Sequence, residues 1–259
     1  VPCGTTGESP TLSESEHLQV IRTCIDGSNG KSLVIAGTGA NSTTEALSLT
    51  QAADDAGADA FLLVAPYYNK PSQEGLFAHF SALAESTEKP IVLYSIPSRC
   101  GIEISTELVC RLREKYPHVC ALKEAGGRSS KVSETLISID EDFVVLSGDD
   151  GLTLPFMACG AKGVVSVASN LVPELVTEMV NLALAGDYER ARKIHLSNYQ
   201  LFTDLFCEPN PVPVKTLMQM KGMIESSEVR SPLIAASSAN HNLLKELGSK
   251  ISIPERVVS

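Results

Sequence analysis

A lysine follows an apolar segment of this sequence, at a place where a side chain can do more than pack. Lys123 comes directly after Val119–Leu122, and the segment 124–127, with two glycines, turns the chain behind it. At the end of a buried strand the amine is partly desolvated, which lowers its pKa and frees it to form a Schiff base. A lysine that only reaches from a strand end into solvent fits the same pattern. Position alone leaves both interpretations open.

Two adjacent hydroxyls between glycines form a second candidate. Thr5 and Thr6 stand in Gly-Thr-Thr-Gly, a tight turn whose backbone N–H groups can bind a carboxylate or a phosphate. Both hydroxyls can donate and accept hydrogen bonds in the same pocket. An ordinary glycine-rich loop is the alternative.

A tyrosine and an arginine five residues apart form a third candidate. Tyr94 ends an apolar segment, so its ring packs while its hydroxyl reaches the strand end, where it can move a proton. Arg99 follows Pro97 in the next turn and can bind a carboxylate through two parallel hydrogen bonds. A core tyrosine beside a surface arginine is the alternative.

Other motifs carry weaker signals, and none of them predicts a metal site. Tyr67 and Tyr68 stand between prolines, which suits a site or an oligomer contact better than the core. The acidic Ser147–Asp150 has no clustered carboxylates or His-x-His beside it, so capping of the next helix is favoured. The histidines lie in predicted helices or connections without ligand spacing, at His17, His79, His118, His195 and His241.

The elements that position these residues alternate along the chain. Apolar, β-branched segments without polar alternation predict strands buried on both faces, at 33–36, 60–65, 91–94, 119–122, 143–146 and 163–166, with a further strand ending at Cys3. Helical periodicity predicts helices at 13–25, 41–56 and 72–85, the first with a capping box of Ser13 and Glu16. The alternation predicts βα units on a parallel sheet.

The fold class predicted is α/β, a (β/α)8 TIM barrel rather than a doubly wound sheet. Gly37–Asn41 has the wrong spacing for a dinucleotide-binding turn. Polar residues instead follow several different strands, as at the active-site rim of a barrel: Thr5, Tyr94, Lys123, Ser147 and Ser166. An eighth strand is not apparent, and we expect the first strand and helix to precede Val1.

The pattern after Pro173 is helical only. Helices are predicted at 174–185 and 187–206, and again from Val214, after a break at 210–213. We therefore predict an N-terminally incomplete barrel at 1–172 and a C-terminal helical region at 173–259 that packs on it.

Composition narrows the class of protein. The 259 residues are 43% hydrophobic and 20% charged, which is typical of a globular protein, and no apolar run reaches the length of a membrane span. The net charge of −10 argues against nucleic-acid binding. Seven cysteines without a C-x-x-C pair predict free thiols in a reducing compartment. We expect a cytoplasmic protein with neither nucleic acid nor membrane as partner.

Together these motifs resemble the dihydrodipicolinate synthase family, within the pyruvate-dependent class I aldolase barrels. The resemblance covers essentially the whole chain in order: Gly-Thr-Thr-Gly-Glu-Ser-Pro-Thr-Leu at 4–12, Ala-Pro-Tyr-Tyr-Asn-Lys-Pro-Ser-Gln-Glu-Gly at 65–75, Tyr-x-Ile-Pro-Ser-Arg-x-Gly at 94–101, Leu-Lys-Glu at 122–124, Ser-Gly-Asp-Asp at 147–150, Gly-Val-Val-Ser-Val-Ala at 163–168 and Asn-Pro-x-Pro-Val-Lys at 210–215. Ser95 and Cys100 depart from the asparagine and threonine usual in the family.

The resemblance implies an enzyme that condenses pyruvate with L-aspartate 4-semialdehyde to 4-hydroxy-tetrahydrodipicolinate, the first committed step of diaminopimelate and lysine biosynthesis. It implies a Schiff base between pyruvate and Lys123, with no metal or other cofactor. Tyr94 would transfer protons, linked to Thr5 and to Tyr68 of a neighbouring subunit in a homotetramer. The resemblance assigns substrate binding to Thr6 and Val165 for the pyruvate carboxylate, Arg99 for the semialdehyde carboxylate, and Gly148.

Members of this family are often inhibited by lysine at a subunit interface. The corresponding residues here are Ser9, Pro10, Glu14, His17, Gly39, Asn41, Glu45 and Tyr67. His17 and Glu45 suit the charged ends of an amino acid, whereas Glu14 stands where some sensitive members carry a different side chain.

Two rival functions stay open from the sequence. Related aldolases that cleave N-acetylneuraminate or 2-keto-3-deoxy sugar acids share the lysine and the tyrosine, although Arg99 and the Thr-Thr pair favour the semialdehyde. A non-catalytic amino-acid-binding barrel is disfavoured because Lys123 and Tyr94 are both present.

Overall fold

A parallel sheet forms the centre of the fold in this computed structural model, which describes residues 1–251. Each strand pairs with the next one in sequence, so the spatial order equals the chain order and a crossover separates every pair. The strands are β1 (Ile35–Gly37), β2 (Ala60–Val64), β3 (Ile91–Ser95), β4 (Val119–Glu124) and β5 (Val144–Ser147). β3 is buried along its whole length, as predicted for a sheet covered on both faces.

Helices follow the strands as the periodicity predicts. They are α1 (Glu14–Ser28), α2 (Thr43–Asp55), α3 (Gln73–Ala84), α4 (Pro97–Cys100), α5 (Thr106–Lys115), α6 (Ser129–Leu136), α7 (Thr153–Ala158), α8 (Pro173–Leu184), α9 (Tyr188–Asp204), α10 (Val212–Met220) and α11 (Ser238–Lys250). Both hydrogen bonds of the capping box between Ser13 and Glu16 are present at the start of α1. None of the helices in the described part combines the length and apolarity needed to cross a membrane.

The first predicted strand begins too early. Leu33 is 78% exposed and precedes β1, so its assignment to a buried strand was wrong. Val34 N donates to the Asp59 carboxylate at 2.7 Å, and Asp59 N donates to Val34 O at 3.0 Å. Pairing with the sheet therefore begins at these hydrogen bonds between Val34 and Asp59. Leu33 lies before them and stays exposed although it is apolar.

Backbone hydrogen bonds extend the sheet at both ends. Gly37 N donates to Pro2 O at 2.9 Å, which places the N-terminal segment beside β1. Ser147 N donates to Gly163 O, and Val165 N donates to Ser147 O, both at 2.8 Å, which places 163–165 beside β5. The predicted strand at 163–166 is thus present only as a single bridge between Ser147 and Val164.

The chain divides into two compact units. The first comprises Val1–Gly148 and Pro155–Val165 and contains the sheet. The second comprises Asp149–Leu154 and the chain from Ser166 onward. In it α8 packs against α9, and α10 against α11, where Leu217 and Leu244 are fully buried. C-terminal helices are present as predicted among the described residues, while the division of the chain at 172 and 173 stays a prediction and its last part, 252–259, lies outside the described residues.

Candidate active site

Lys123 and Tyr94 meet because their strands pair in parallel register. Tyr94 on β3 is the register partner of Lys123 on β4, and partners on adjacent strands point to the same face. Lys123 Nζ lies 3.9 Å from the centroid of the Tyr94 ring. The two residues are only 7% and 4% exposed. Lys123 is therefore a buried lysine held against an aromatic ring, not one that reaches into solvent.

A glycine leaves room for the lysine. A Cβ atom at Gly148 would lie 3.1 Å from Lys123 Cε and 2.7 Å from the Cβ of Ala125. Gly148 N donates to Glu124 O at 2.8 Å, which holds the two strand ends together at this point. Gly148 therefore acts through the absence of a side chain, beside the methylene that carries the amine.

Tyr94 is linked to the threonine turn. Its side chain is hydrogen-bonded to that of Thr5, which lies in a short 3-10 turn, Thr5–Gly7. Burial raises the pKa of Tyr94 to about 12, against the opposite effects of the Thr5 hydrogen bond and the positive charge of Arg99. The phenol thus keeps its proton at neutral pH and can donate it, while Thr5 gives that proton a second hydroxyl to pass to.

A cavity of about 270 Å³ opens beside this pair, and we call it the Tyr94 cavity. Its volume is smaller than that of pockets for drug-sized ligands, so it suits a small metabolite. Its lining comprises Cys3, Gly4, Thr5, Ser9, Pro10, Gly37, Gly39, Leu62, Val64, Tyr67, Tyr94, Ile96, Arg99 and Cys100. The structure thus brings together Thr5, Tyr94 and Arg99, three of the residues predicted to act on substrate.

Two glycines of this cavity were missed as site residues. From the sequence, Gly37 and Gly39 belong to a segment whose spacing does not fit a dinucleotide-binding turn. Gly39 is also one of the residues predicted for the lysine site. A Cβ atom at Gly37 would lie 2.4 Å from Cys3 O, and one at Gly39 would lie 2.3 Å from Val64 N. Both positions let backbone segments approach closely around the cavity. A glycine directly after a strand was the available signal.

The turn after β3 separates Arg99 from Cys100. Pro97 begins the four-residue helix α4, which leaves Arg99 exposed at the cavity and buries Cys100. Cys100 Sγ donates to Ala65 O at 3.1 Å, and burial raises the pKa of its thiol to about 11 despite the neighbouring guanidinium. This thiol is therefore protonated at neutral pH, which disfavours reaction as a nucleophile.

The paired tyrosines have different environments. Tyr67 lines the Tyr94 cavity and is hydrogen-bonded to the backbone of Asn41, and burial raises its pKa. Tyr68 is 90% exposed and has a φ of 74°, a left-handed conformation that is costly for a residue with a side chain. Tyr68 is not among the residues that line the Tyr94 cavity of its own chain.

The predicted carboxylate-binding residues lie at different parts of the rim. Thr6 shares the 3-10 turn of Thr5 and is half-buried. Val165 lies beside β5, and its amide already donates to Ser147 O.

The residues predicted for a lysine site fall into two groups. Ser9, Pro10, Gly39 and Tyr67 line the Tyr94 cavity, and Asn41 and Glu45 interact with Tyr67. His17 is buried and hydrogen-bonded to the backbone of Gly37, and burial lowers its pKa, so the ring is neutral at neutral pH. Glu14 is exposed in the first turn of α1.

The acidic motif caps backbone turns. The Asp149 carboxylate accepts a hydrogen bond from Leu152 N at 3.2 Å. Asp150 accepts bonds from Val167 N and Ala168 N, each at 2.9 Å. Within residues 1–251 no three or more His, Cys, Asp or Glu side chains are grouped to hold a metal ion.

Comparison with known proteins gives one consistent family. A model of the dihydrodipicolinate synthetase family matches residues 1–250. A 4-hydroxy-tetrahydrodipicolinate synthase of Sulfurihydrogenibium sp. (strain YO3AOP1) is 51% identical over 253 residues, 98% of this chain and 86% of that protein. The crystal structure of dihydrodipicolinate synthase from Aquifex aeolicus has a TM-score of 0.94 at 48% identity, over 96% of this chain and 85% of that one. The predicted α/β barrel class is confirmed.

Two further solved structures carry ligands. A dihydrodipicolinate synthase (DHDPS) from Acinetobacter baumannii, complexed with pyruvate, has a TM-score of 0.91 at 41% identity, over 94% of this chain and 83% of that one. DHDPS from Cyanidioschyzon merolae with lysine bound has a TM-score of 0.92 at 39% identity, over 95% of this chain and 83% of that one.

The space beside Lys123 can be tested by filling it. On the Schiff-base role that the family resemblance implies for Lys123, Gly148→Ala is expected to slow the borohydride trapping of pyruvate by about ten- to a hundredfold, because the new methyl group crowds Cε. Intact mass spectrometry over time measures the rate. Gly27→Ala is the control, since a Cβ atom there meets nothing within 4 Å in α1. Equal trapping rates in folded Gly148→Ala and wild type would contradict this role.

Proposed function

The chain belongs to the dihydrodipicolinate synthetase family, and from that premise we propose how its buried lysine works. The protein is a 4-hydroxy-tetrahydrodipicolinate synthase, a carbon–oxygen lyase that condenses pyruvate with L-aspartate 4-semialdehyde in lysine and diaminopimelate biosynthesis. The observation that carries the mechanism is the buried pair of Lys123 Nζ and the Tyr94 ring, 3.9 Å apart. The relatives described above give no support to a sugar-acid aldolase or a non-catalytic barrel.

Lys123 begins the reaction as the nucleophile. Its amine attacks the keto carbon of pyruvate, a C–N bond forms, and the carbonyl oxygen leaves as water once it has taken up two protons. Removal from water disfavours the charged form of an amine, which helps the attack. The resulting iminium draws electrons from the neighbouring carbon, so the methyl group loses a proton and an enamine forms. Because the iminium is itself the electron sink, no further cofactor is required.

Tyr94 supplies and removes the protons of these steps. Its ring lies against the lysine amine and its side chain is hydrogen-bonded to Thr5, so two hydroxyls in sequence can carry a proton to the carbonyl oxygen that leaves as water. We assign Tyr68 of a neighbouring subunit as the outer member of this relay.

The second substrate approaches from the Arg99 side of the cavity. The enamine carbon attacks the aldehyde carbon of aspartate 4-semialdehyde, and a C–C bond forms as the aldehyde oxygen takes up a proton. Arg99 is exposed at the cavity and holds the carboxylate of this substrate through two hydrogen bonds. The amine of the adduct then attacks the iminium carbon, the C–N bond to Lys123 breaks, and the ring closes.

Thr6 holds the pyruvate carboxylate in this proposal. It stands next to Thr5 in the same turn, one residue from the relay. The Val165 amide already donates to Ser147 O, so we assign Val165, with Gly148, to the surface that confines pyruvate rather than to a free amide donor.

The Schiff base is tested by trapping. Borohydride added to the wild-type protein with pyruvate is expected to give a pyruvate-sized mass increase on one lysine, and Lys123→Ala is expected to give none, because the nucleophile is lost. Intact mass and peptide mapping measure both. Lys162→Ala, which removes an exposed lysine, is the control and keeps the adduct. No adduct on folded wild-type protein would refute the mechanism.

We propose that the active form is a homotetramer, a dimer of dimers, in which Tyr68 acts across a subunit boundary. Tyr68 is 90% exposed and is held in a left-handed conformation, so its ring is presented outward from its own chain. Tyrosine is enriched in subunit interfaces, where its ring packs and its hydroxyl finds a partner.

Mixed oligomers test this arrangement. Tyr68→Phe and Lys123→Ala are each expected to be slow alone, and refolded mixtures are expected to regain part of the activity, since one chain supplies the lysine and the other the tyrosine. Tyr94→Phe mixed with Lys123→Ala is the control without recovery, because both groups come from one chain. Full activity of a dilute monomer, or no recovery in verified mixed oligomers, would contradict the proposal.

We propose that L-lysine inhibits the enzyme at the residue set around Tyr67. The support is that Ser9, Pro10 and Gly39 line the same cavity as Tyr67, with Glu45 beside it, and that the Cyanidioschyzon merolae structure contains lysine. Neutral His17 would bind the ligand by a hydrogen bond and not by charge.

Inhibition assays separate the contribution of Glu45. Glu45→Gln is expected to weaken inhibition by L-lysine by about tenfold or more, because the negative charge that pairs with the ligand's ammonium group is lost. Initial rates at increasing lysine concentration measure this. Glu107→Gln, another exposed glutamate, is the control with unchanged inhibition. Inhibition that is only weak at millimolar lysine in the wild type would count against the site.

We place the enzyme in the cytoplasm, without nucleic acid or membrane partners. All seven cysteines are free thiols, as in proteins of reducing compartments. The net charge of −10 disfavours a polyanionic partner.

A further inference from the structure

A carboxyl group lies fully buried directly behind the Schiff-base lysine. Glu124 follows Lys123 on β4, so its side chain points to the opposite face of the strand. Its exposed fraction is 0%, and its register partners, Ser95 on β3 and Ser147 on β5, are equally buried. A polar row thus crosses the sheet behind the Tyr94–Lys123 pair, and the mechanism does not use it.

Only one oxygen of this carboxyl group is satisfied. Glu124 Oε1 accepts a hydrogen bond from Gly126 N at 2.6 Å. Oε2 is buried and has no hydrogen-bond partner among the described residues. An unpartnered buried oxygen is costly, so stability alone does not explain why a glutamate occupies this position.

The satisfied oxygen holds the turn that confines the lysine. Gly126 N is the second amide after Glu124, and Ala125 N donates to Ser95 O at 2.9 Å, so both amides of the turn are anchored. Ala125 Cβ and Gly148 then lie against each other beside Lys123 Cε. A Cβ atom at Gly126 would lie only 2.5 Å from Glu124 Oε1, so the contact between carboxyl and turn requires glycine there.

The charges around Glu124 do not form an ion pair with it. Glu103, Arg128 and Lys131 act on it from the segment before α5 and from the start of α6, and Arg128 is itself paired with Glu103 at 2.9 Å. Burial raises the pKa of Glu124 to about 7, with Glu103 adding to the rise and the Gly126 hydrogen bond, Lys131 and Arg128 opposing it. The protonated fraction of the group therefore grows as the pH falls below 7, and a glutamine amide resembles this neutral form.

We propose that Glu124 is a positioning residue for Lys123, acting through the turn at 125–127 that its buried carboxyl oxygen holds. This inference rests on the proposed Schiff-base function. The side chain never touches substrate. It keeps Ala125 and Gly148 in place, and these in turn keep the lysine methylenes aligned for attack on pyruvate.

The test compares three residues at position 124 at pH 6.5. Glu124→Ala is expected to lower the rate of pyruvate adduct formation at saturating pyruvate by about ten- to a hundredfold, with the half-saturating concentration changed less than about threefold, since alignment and not binding is lost. Glu124→Gln keeps an oxygen for Gly126 N and is expected to stay within about threefold of wild type, by the same reasoning. A glutamine variant as slow as the alanine variant would overturn the proposal.

A second variant decides the matter if Glu124→Ala does not fold. Gly126→Ala keeps Glu124 but forces its carboxyl away from the turn, and the same loss of rate without loss of pyruvate binding is expected. Glu103→Gln, which removes a partly exposed carboxylate of the same cluster, is the control at wild-type rate. Wild-type rates in folded Glu124→Ala or Gly126→Ala would overturn the positioning role, whereas absence of any adduct in the wild type would refute the Schiff-base function instead.

Discussion

The parallel register between β3 and β4 is the constraint on which the site depends. It places Tyr94 beside Lys123 on one face and Ser95 beside Glu124 on the other. A shift by one residue would exchange these faces and remove the lysine from its ring. The amine of Lys123 lies against the face of the Tyr94 ring, and both side chains have little access to water. The reactive amine and the phenol beside it therefore follow from backbone pairing.

Two glycines leave the space that the side chains on β3 and β4 and the N-terminal segment require. Gly148 leaves space next to the lysine methylenes, while Gly37 lets the N-terminal segment approach β1 within backbone contact. That approach brings the threonine turn close enough for Thr5 to reach Tyr94, across a long separation in sequence. The hydrogen bond between Thr5 and Tyr94 thus joins segments that meet because the strands of a parallel sheet end at the same edge. Gly148 and Gly37 therefore allow both the close packing of the backbone and the placement of Lys123 and Thr5.

The elements themselves were largely readable from local patterns. β2, β3 and β4, which lack polar alternation, are buried along almost their whole length. Serine caps mark the starts of α1, α2, α3 and α5. Local patterns gave wrong strand bounds where pairing between distant segments determines how far a strand extends. Leu33 is apolar but lies outside the sheet, because the carboxylate of Asp59 sets the point of entry. The segment at 163–166 has strand composition and forms a single bridge, since composition does not specify how far a pairing extends.

The order of the elements and the chemical groups at the strand ends follow from the amino-acid sequence alone. Each of these groups belongs to a single position, and the spacing of those positions reflects the local periodicity of strands and helices. Whether Lys123 is buried or reaches solvent follows instead from the tertiary fold, since burial depends on the neighbouring strands. The tertiary fold also decides that Tyr68 faces outward while Tyr67 lines the cavity, and that Glu124 keeps one oxygen unpaired behind the lysine. These outcomes depend on contacts between residues far apart in the chain, whose geometry is set by register and close packing and not by local composition.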